Sequence, residues 1–388
     1  MINKRIGTYV TQNSSGESYK TYVPAKLPPN PPIDLMALYP YLEKATVALA
    51  ELGSMAKSIP NTSLFIYMYV RKEALLSSQI EGTQSSFSDL ILFENHQKPN
   101  ISSDDVEEVS NYVRAITYGL DRLKSNFPLS LRLLCDIHSI LLSGGRGACK
   151  RPGELRSSQN WIGGTRPGNA LFVPPAPTNL IDCLANFEKF LHEENSKLPV
   201  LIKAGIAHVQ FETIHPFLDG NGRLGRLLIS LLLCDRGMLD EPVLYLSLYL
   251  KQHRDIYYNL LQQVRTDGTW ETWLEFFLEG VYTSAKQAVQ TAKEINMLFE
   301  NDLAKINTLG RAKSSCVQIL EYLKKLPQVS VALVSKELRM SEPTVRSSLR
   351  HMLALGIVEE ISGKERDRIY VYRKYLDILE DGAIPFAP

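Results

Sequence analysis

Residues 215–226 of this 388-residue chain read HPFLDGNGRLGR, and their types suit chemistry on a polyphosphate. His215 has a reference pKa of about 6.5, so it can act as a base near neutrality. Asp219, four residues on, is a hard carboxylate of the kind Mg²⁺ prefers. Gly220, Asn221 and Gly222 let backbone N–H groups converge on one point with no Cβ in the way, which makes an anion cradle. The run RLGRLLISLLLC that follows predicts an apolar helix. The cradle therefore sits at a helix N-terminus, where free N–H groups and the macrodipole favour phosphate. Arg223 and Arg226 are three apart and share a face of the first turn. A guanidinium there can grip phosphate oxygens in pairs. Singly, each feature has an ordinary reading: a turn histidine, a tight glycine turn, a solvated arginine pair. Together they point to phosphoryl or nucleotidyl transfer from a polyphosphate.

The stretch resembles the signature HPFxDGNGRxxR of the Fic family at every specified position. The resemblance implies a mainly α protein, with an all-helical Fic fold and a β-hairpin flap. It implies an enzyme that transfers AMP from ATP to a Ser, Thr or Tyr hydroxyl of a target protein, with Mg²⁺ as cofactor. His215 is then the catalytic base and Asp219 the Mg²⁺ ligand. Gly220, Asn221, Gly222, Arg223, Leu224, Gly225 and Arg226 become ATP and phosphate contacts, with Arg226 on the γ-phosphate. The signature leaves the transferred group open, since some relatives transfer phosphate or phosphocholine and some remove AMP. The intact Asn221, Arg223 and Arg226 favour AMP.

Helical spacing predicts elements over 38–57, 62–80, 103–123, 129–142, 178–193, 198–213, 221–236, 251–264 and 270–300. Ser102 and Ser103 are expected to cap one of them, and Thr178 and Asn179 another. Gly237 is placed to close the helix after the signature. The helix over 62–80 runs into SSQIEG at 77–82. Its acidic residue is unfavourable at a helix C-terminus, which hints at a cationic partner elsewhere. Ser77, Glu81 and Gly82 also match the Fic inhibitory motif [S/T]xxxE[G/N]. That resemblance pairs Glu81 with Arg226, in the place the γ-phosphate needs.

Residues 151–177 are rich in Gly and Pro, with short candidate strands only near Trp161 and over Leu171–Val173. By resemblance this is the flap that aligns an extended target segment by strand addition. Ile162 is expected to clamp the target. Tyr257 and Tyr258 lie on the amphipathic helix 251–264, and family members carry a similar pair near the adenine.

Three regions follow: 1–100, with an N-terminal hairpin and the inhibitory helix; 101–300, the Fic catalytic domain; and 311–375. The hairpin joins YVTQ and YKTYV through NSSGES, and the sequence leaves open whether it packs on the body or stands as an arm. Residues 311–375 read as a winged helix-turn-helix, with 13 Lys+Arg against 7 Asp+Glu. Lys364, Arg366 and Arg368 on the wing, and Arg346 and Arg350 on a helix, suit DNA. A protein-docking module of the same fold is equally consistent. A competing reading follows: a DNA-binding regulator whose Fic part only senses nucleotide.

The net charge of +1 selects no class of partner. Five scattered cysteines without a CxxC pair suggest reduced thiols in the cytoplasm. The N-terminal stretch lacks a signal-peptide core, and LLISLLLC is too short to span a bilayer, so no membrane partner is expected. A homo-oligomer stays open.

Overall fold

The computed structural model describes residues 5–14, 16–58, 62–94, 103–193, 198–363 and 368–383. Ser102, Lys364 and Arg366 lie outside them. Strands β1 (Thr8–Ser14) and β2 (Glu17–Val23) pair antiparallel, Thr8 opposite Val23 and Ser14 opposite Glu17. Helices then dominate: α1 (Leu35–Ser58), α2 (Thr62–Ile80), α3 (Phe87–Glu94), α4 (Ser103–Lys124), α5 (Leu131–Leu141), α6 (Pro177–His192), α7 (Val200–Ile214) and α8 (Asn221–Asp235). After them come α9 (Ser247–Gln252), α10 (Arg254–Asp267) and the long α11 (Trp270–Asn307). The C-terminal part holds α12 (Lys313–Lys325), β3 (Gln328–Ser330), α13 (Val331–Leu338), α14 (Glu342–Ala354), β4 (Glu359–Glu360), β5 (Ile369–Val371) and α15 (Arg373–Glu380).

The centre of the molecule is α7 followed by α8. Every residue of α7 from Leu201 to Ile214 is buried, so its polar members need partners inside. Lys203 Nζ donates to Leu191 O at 2.9 Å, and Gln210 Nε2 to Ala25 O at 3.0 Å. The His208 ring bridges Gly225 O (2.9 Å) and Tyr257 Oη (2.8 Å). Helix α8 is buried from Leu224 through Leu233. Truncating one such leucine to alanine costs about 2–5 kcal/mol. Two buried helices, joined by the loop 215–220, thus make a stiff base for the signature.

Several local expectations change. Helix α6 starts at Pro177 with Ala176 as its N-cap, so Thr178 and Asn179 lie inside it. Proline fits the first helical position because its missing N–H would have no partner there. The helix expected over 251–264 is broken at His253 into α9 and α10. Helix α3 is not among the elements that the spacing predicts, being only eight residues long. Its signal is the capping box of Ser86 and Asp89, where Asp89 N donates to Ser86 Oγ at 3.1 Å and Ser86 N to Asp89 Oδ2 at 3.2 Å. The flap hairpin shrinks to one antiparallel bridge, Ile162 with Phe172, and a 3₁₀ turn over Pro167–Asn169. The prolines and glycines there cannot sustain a ladder.

The N-terminal hairpin packs on the body. Tyr22 N donates to Val173 O at 2.9 Å, and Arg166 Nη1 meets Glu17 Oε1 at 2.6 Å. In the C-terminal part, Ser330 caps α13 and Ser341 caps α14. A three-stranded sheet forms in the order β3–β5–β4. Helix α15 begins inside the expected C-terminal unit and ends beyond it. It buries Tyr375, Leu376 and Leu379 and packs on α2, α3 and α11. Just past it, Ala383 O accepts Gln79 Nε2 at 2.9 Å, in the middle of SSQIEG.

Candidate active site

Helix α7 ends at His215, whose φ of 51° lies in the left-handed region. Pro216 prevents the helix from continuing. A non-glycine residue there costs on the order of 1–2 kcal/mol unless its surroundings impose it. Arg156 and Asn160 do so, and neither stands out in the sequence. Buried Arg156 donates from Nε to His215 O (2.9 Å) and from Nη2 to Pro175 O (2.5 Å), while its N–H reaches Pro216 O (3.0 Å). Asn160 Nδ2 donates to Phe217 O (3.0 Å) and His215 O (3.3 Å).

The imidazole Nδ1 lies 3.3 Å from Glu212 O and 3.9 Å from Glu212 Oε2. A proton on Nδ1 meets that carbonyl and leaves Nε2 as the basic nitrogen. Burial first, then the Arg265 and Arg156 charges, push the ring down to about 4. It is therefore neutral at pH 7.

The next residues are held as firmly. The Phe217 ring stacks on His138 at 3.8 Å between centroids. His138 Nδ1 accepts Gly153 N–H (2.8 Å), and Nε2 meets Asp219 O (2.9 Å). Asn221 differs from expectation. Its Oδ1 accepts Phe217 N–H and its Nδ2 donates to Phe217 O, both at 2.9 Å. Its side chain braces the loop, because the loop's backbone has no ladder of its own. Leu224 and Gly225, expected as phosphate contacts, point inward. Leu224 is fully buried, and a Cβ at Gly225 would collide with Glu212.

Gly220, at φ 75°, opens α8. The Asp219 carboxylate accepts Gly220 N–H at 2.6 Å, stands 3.7 Å from Arg223 Nη2 and is 42% exposed. Arg223 Nη1 pairs with buried Glu108 Oε2 at 3.2 Å, while its Nε has no hydrogen-bond partner among the described residues.

Arg226 faces the end of α2, as expected. Its Nε donates to Ser77 Oγ and its Nη2 to Ser77 O, each at 2.9 Å. Nη2 also meets Glu81 Oε1 at 2.7 Å. Ser77 and Glu81 are one turn apart, so both reach the same guanidinium. Gly82, at φ 99°, turns the chain away. Desolvation opposes ionisation of both partners, although only Arg226 is buried and the Glu81 side chain is partly exposed. Their mutual attraction outweighs it, holding Glu81 below the ordinary carboxylate range and Arg226 above its usual value. A Cβ at Gly222 would collide with Glu81 Oε1, so the carboxylate lies against the first turn of α8. It occupies the mouth of the anion cradle.

Glu81, His215, Asp219, Arg223 and Arg226 line one cavity of about 960 Å³, together with Ile162, Trp161 and Leu171 of the flap. This is near the upper end of the ~300–1,000 Å³ typical of small-molecule sites. The two tyrosines separate. Tyr258 is 39% exposed and offers a ring face, with the Arg254 guanidinium 5.3 Å from its centroid. Tyr257 also lines the cavity but is buried, its hydroxyl held by His208. Glu212 is buried, its Oε1 has no hydrogen-bond partner among the described residues, and burial pushes its carboxyl up to about 7.

Residues 39–121 match the Fic/DOC family N-terminal model, and residues 128–233 match the Fic/DOC family model. The chain carries a Fic/DOC N-terminal region followed by a Fic/DOC domain. Its mainly α architecture agrees with solved Fic structures. A Fic family protein from Desulfovibrio desulfuricans superposes with a TM-score of 0.52 at 20% identity, covering 84% of this chain and 95% of that one. A Fic domain-containing signaling protein from Bacteroides thetaiotaomicron gives 0.52 at 19% identity, over 63% and 97%. Among curated relatives, the protein adenylyltransferase Fic of Culex quinquefasciatus is 35% identical over 157 residues, 40% of this chain and 28% of its own length. That of Drosophila yakuba is 32% identical over 162 residues, 42% of this chain and 30% of its own. This chain thus spans less than a third of the curated Fic relatives.

The Fic cavity fits a nucleoside polyphosphate with Mg²⁺. No cluster of three or more metal-ligating side chains occurs among the described residues. Asp219 alone suffices for the type of site in which Mg²⁺ takes one carboxylate, phosphate oxygens and water. Among the described residues, no helix is long and apolar enough to cross a membrane.

Proposed function

We propose that this Fic protein transfers AMP from ATP to a Ser, Thr or Tyr hydroxyl of a protein, and that Glu81 holds it inactive. The observation that carries the reading is the occupied cradle: Glu81 on Arg226 at the N-terminus of α8, in one cavity with a neutral His215. The names of the curated relatives support the type of reaction.

In the active state the polyphosphate lies at the start of α8. The N–H groups of Gly222 and Arg223 face its oxygens, and Arg226 takes the γ-phosphate that Glu81 displaces. Arg223 adds charge beside them. Mg²⁺ on Asp219 would neutralise charge building on the leaving group. His215 Nε2 accepts the proton of the acceptor hydroxyl as its oxygen bonds the α-phosphorus. The bond from that phosphorus to the bridging oxygen breaks, and pyrophosphate leaves. Tyr258 offers its open ring face to the base, and Ile162 faces the acceptor segment. The scattered cysteines fit a reducing, cytoplasmic setting.

The C-terminal unit reads as a winged helix-turn-helix with α14 as its exposed helix. Arg346 and Arg350 are exposed, one turn apart, beside Pro343 and Ser347. That face favours a second reading for this part, phosphate contact with DNA.

The test is labelling of lysate proteins with α-labelled ATP, followed by mass spectrometry of the modified residues. If the productive state is about one in a hundred in the wild type, Glu81→Gly should raise labelling about a hundredfold. Arg226→Ala breaks the same pair but removes the phosphate grip, so it should not activate. Label arriving from γ-labelled ATP in place of α-labelled ATP would overturn AMP transfer. A folded Glu81→Gly protein no more active than wild type would overturn autoinhibition.

A further inference from the structure

Arg265 of α10 lines the cavity but belongs to neither the signature nor the inhibitory motif. It is buried, and its guanidinium touches two parts of the site. Nε donates to Thr213 Oγ1 at 3.1 Å and Nη2 to Glu212 O at 3.3 Å, in the last turn of α7 before His215. Its Cζ stands 4.0 Å from the centroid of the Phe172 ring in the flap. Its carbonyl accepts Tyr22 Oη at 3.0 Å from β2.

We propose that Arg265 is a positioning residue with two separable roles, electrostatic toward His215 and mechanical toward the flap. The inference rests on the role proposed for His215 as the base. The first role follows from the charges around the ring. The charges acting on the ring are Arg265 of α10, Arg156 of the segment before α6, Glu81 of the turn after α2 and Glu212 of α7 itself. A buried cation nearby makes a second proton on the imidazole costly. Arg265, bonded to Thr213 and Glu212 in the turn before His215, and Arg156, bonded to His215 O, both act against that proton, and Glu81 acts in the opposite sense. The second role follows from the bridge. Phe172, under the guanidinium, exchanges backbone bonds with Ile162, Ile162 N to Phe172 O at 2.9 Å and the reverse at 3.1 Å. Arg265 therefore ties the wall that faces the acceptor to the helix end that carries the base. Lysine keeps the charge but loses the planar fork and the stacking, while glutamine keeps a donor and loses the charge.

The experiment uses the full chain with Glu81→Gly, labelled with ¹³C-histidine. The His215 ring signal is the one absent from a His215→Ala sample. In Arg265→Gln its titration midpoint should rise by roughly one unit, and in Arg265→Lys it should stay in place. Exchange of the Ile162 and Phe172 amides should quicken about tenfold in both variants. The acid limb of auto-labelling with α-labelled ATP should move up with the midpoint in Arg265→Gln only. An unmoved midpoint in Arg265→Gln overturns the electrostatic role, and unmoved amide exchange in Arg265→Lys overturns the mechanical one. Should Arg265→Gln fail to fold, the unsubstituted Arg265 protein decides: a His215 midpoint at the ordinary value of about 6.5 sinks the electrostatic role. Labelling that survives His215→Ala would instead defeat the base assignment and leave the titration result standing.

Discussion

On one side of the cavity, His215 is gripped through its backbone by Arg156 and Asn160, and the loop after it by His138 and Asn221. None of these bonds uses a group that a nucleotide would need. On the other side, Arg226 is held by Ser77 and by Glu81, a carboxylate 38% exposed on its side chain. Phosphate can replace a carboxylate on a guanidinium with little change of geometry. Arg223 resembles the first side more than the second, since its partner Glu108 is buried with it. The base side is preorganised and the phosphate side is exchangeable. Under the proposed function, control would fall on the Glu81–Arg226 pair, while His215 keeps its backbone supports.

The largest effect should come from the fixed side. In the Glu81→Gly background, His215→Ala should lower labelling by about 10²–10⁴-fold while leaving ATP affinity nearly unchanged, because the ring grips no phosphate. With His215 intact, the base must be neutral to act, and its pKa is depressed to about 4. Activity should then be level through neutral pH and fall only as the pH drops toward that value. Near-normal labelling by His215→Ala, or an acid limb near the ordinary histidine value, would break the contrast.

An intermediate effect tests whether the fixed side is fixed by what surrounds it. Asn160→Ala removes donors to His215 O and Phe217 O from a left-handed backbone. The rate of AMP transfer should fall about tenfold or more, with ATP binding close to that of the parent. Equal losses of rate and of ATP affinity would mean the two sides are not independent.

The smallest effect lies outside the cavity. Arg346→Ala with Arg350→Ala should leave AMP transfer as it is. If the C-terminal unit binds DNA, the slope of log K against log salt should flatten by roughly one for each phosphate no longer neutralised. A gel shift across salt concentrations measures this. Wild-type protein with no salt-dependent DNA binding would assign the unit to protein docking.

What consecutive residues determined is local. The glycines around Asn221, the apolar run after them and the proline after His215 set a helix end, a nest and a second helix start, because each rests on sterics and hydrogen bonds within a few residues. Helical spacing located α1, α2, α4 and α11 for the same reason. The resemblance to the Fic inhibitory motif named the partner of Glu81, but the residues alone showed only a carboxylate at an unfavourable helix end. Packing decided the rest. Asn221 turned to its own loop, Tyr257 was buried against His208, and Arg156, Asn160 and Arg265 became the supports of the His215 segment. A lone arginine or asparagine in a loop has no periodicity to mark it. Its direction depends on which backbone carbonyls distant helices leave unpaired, and only the assembled core determines that.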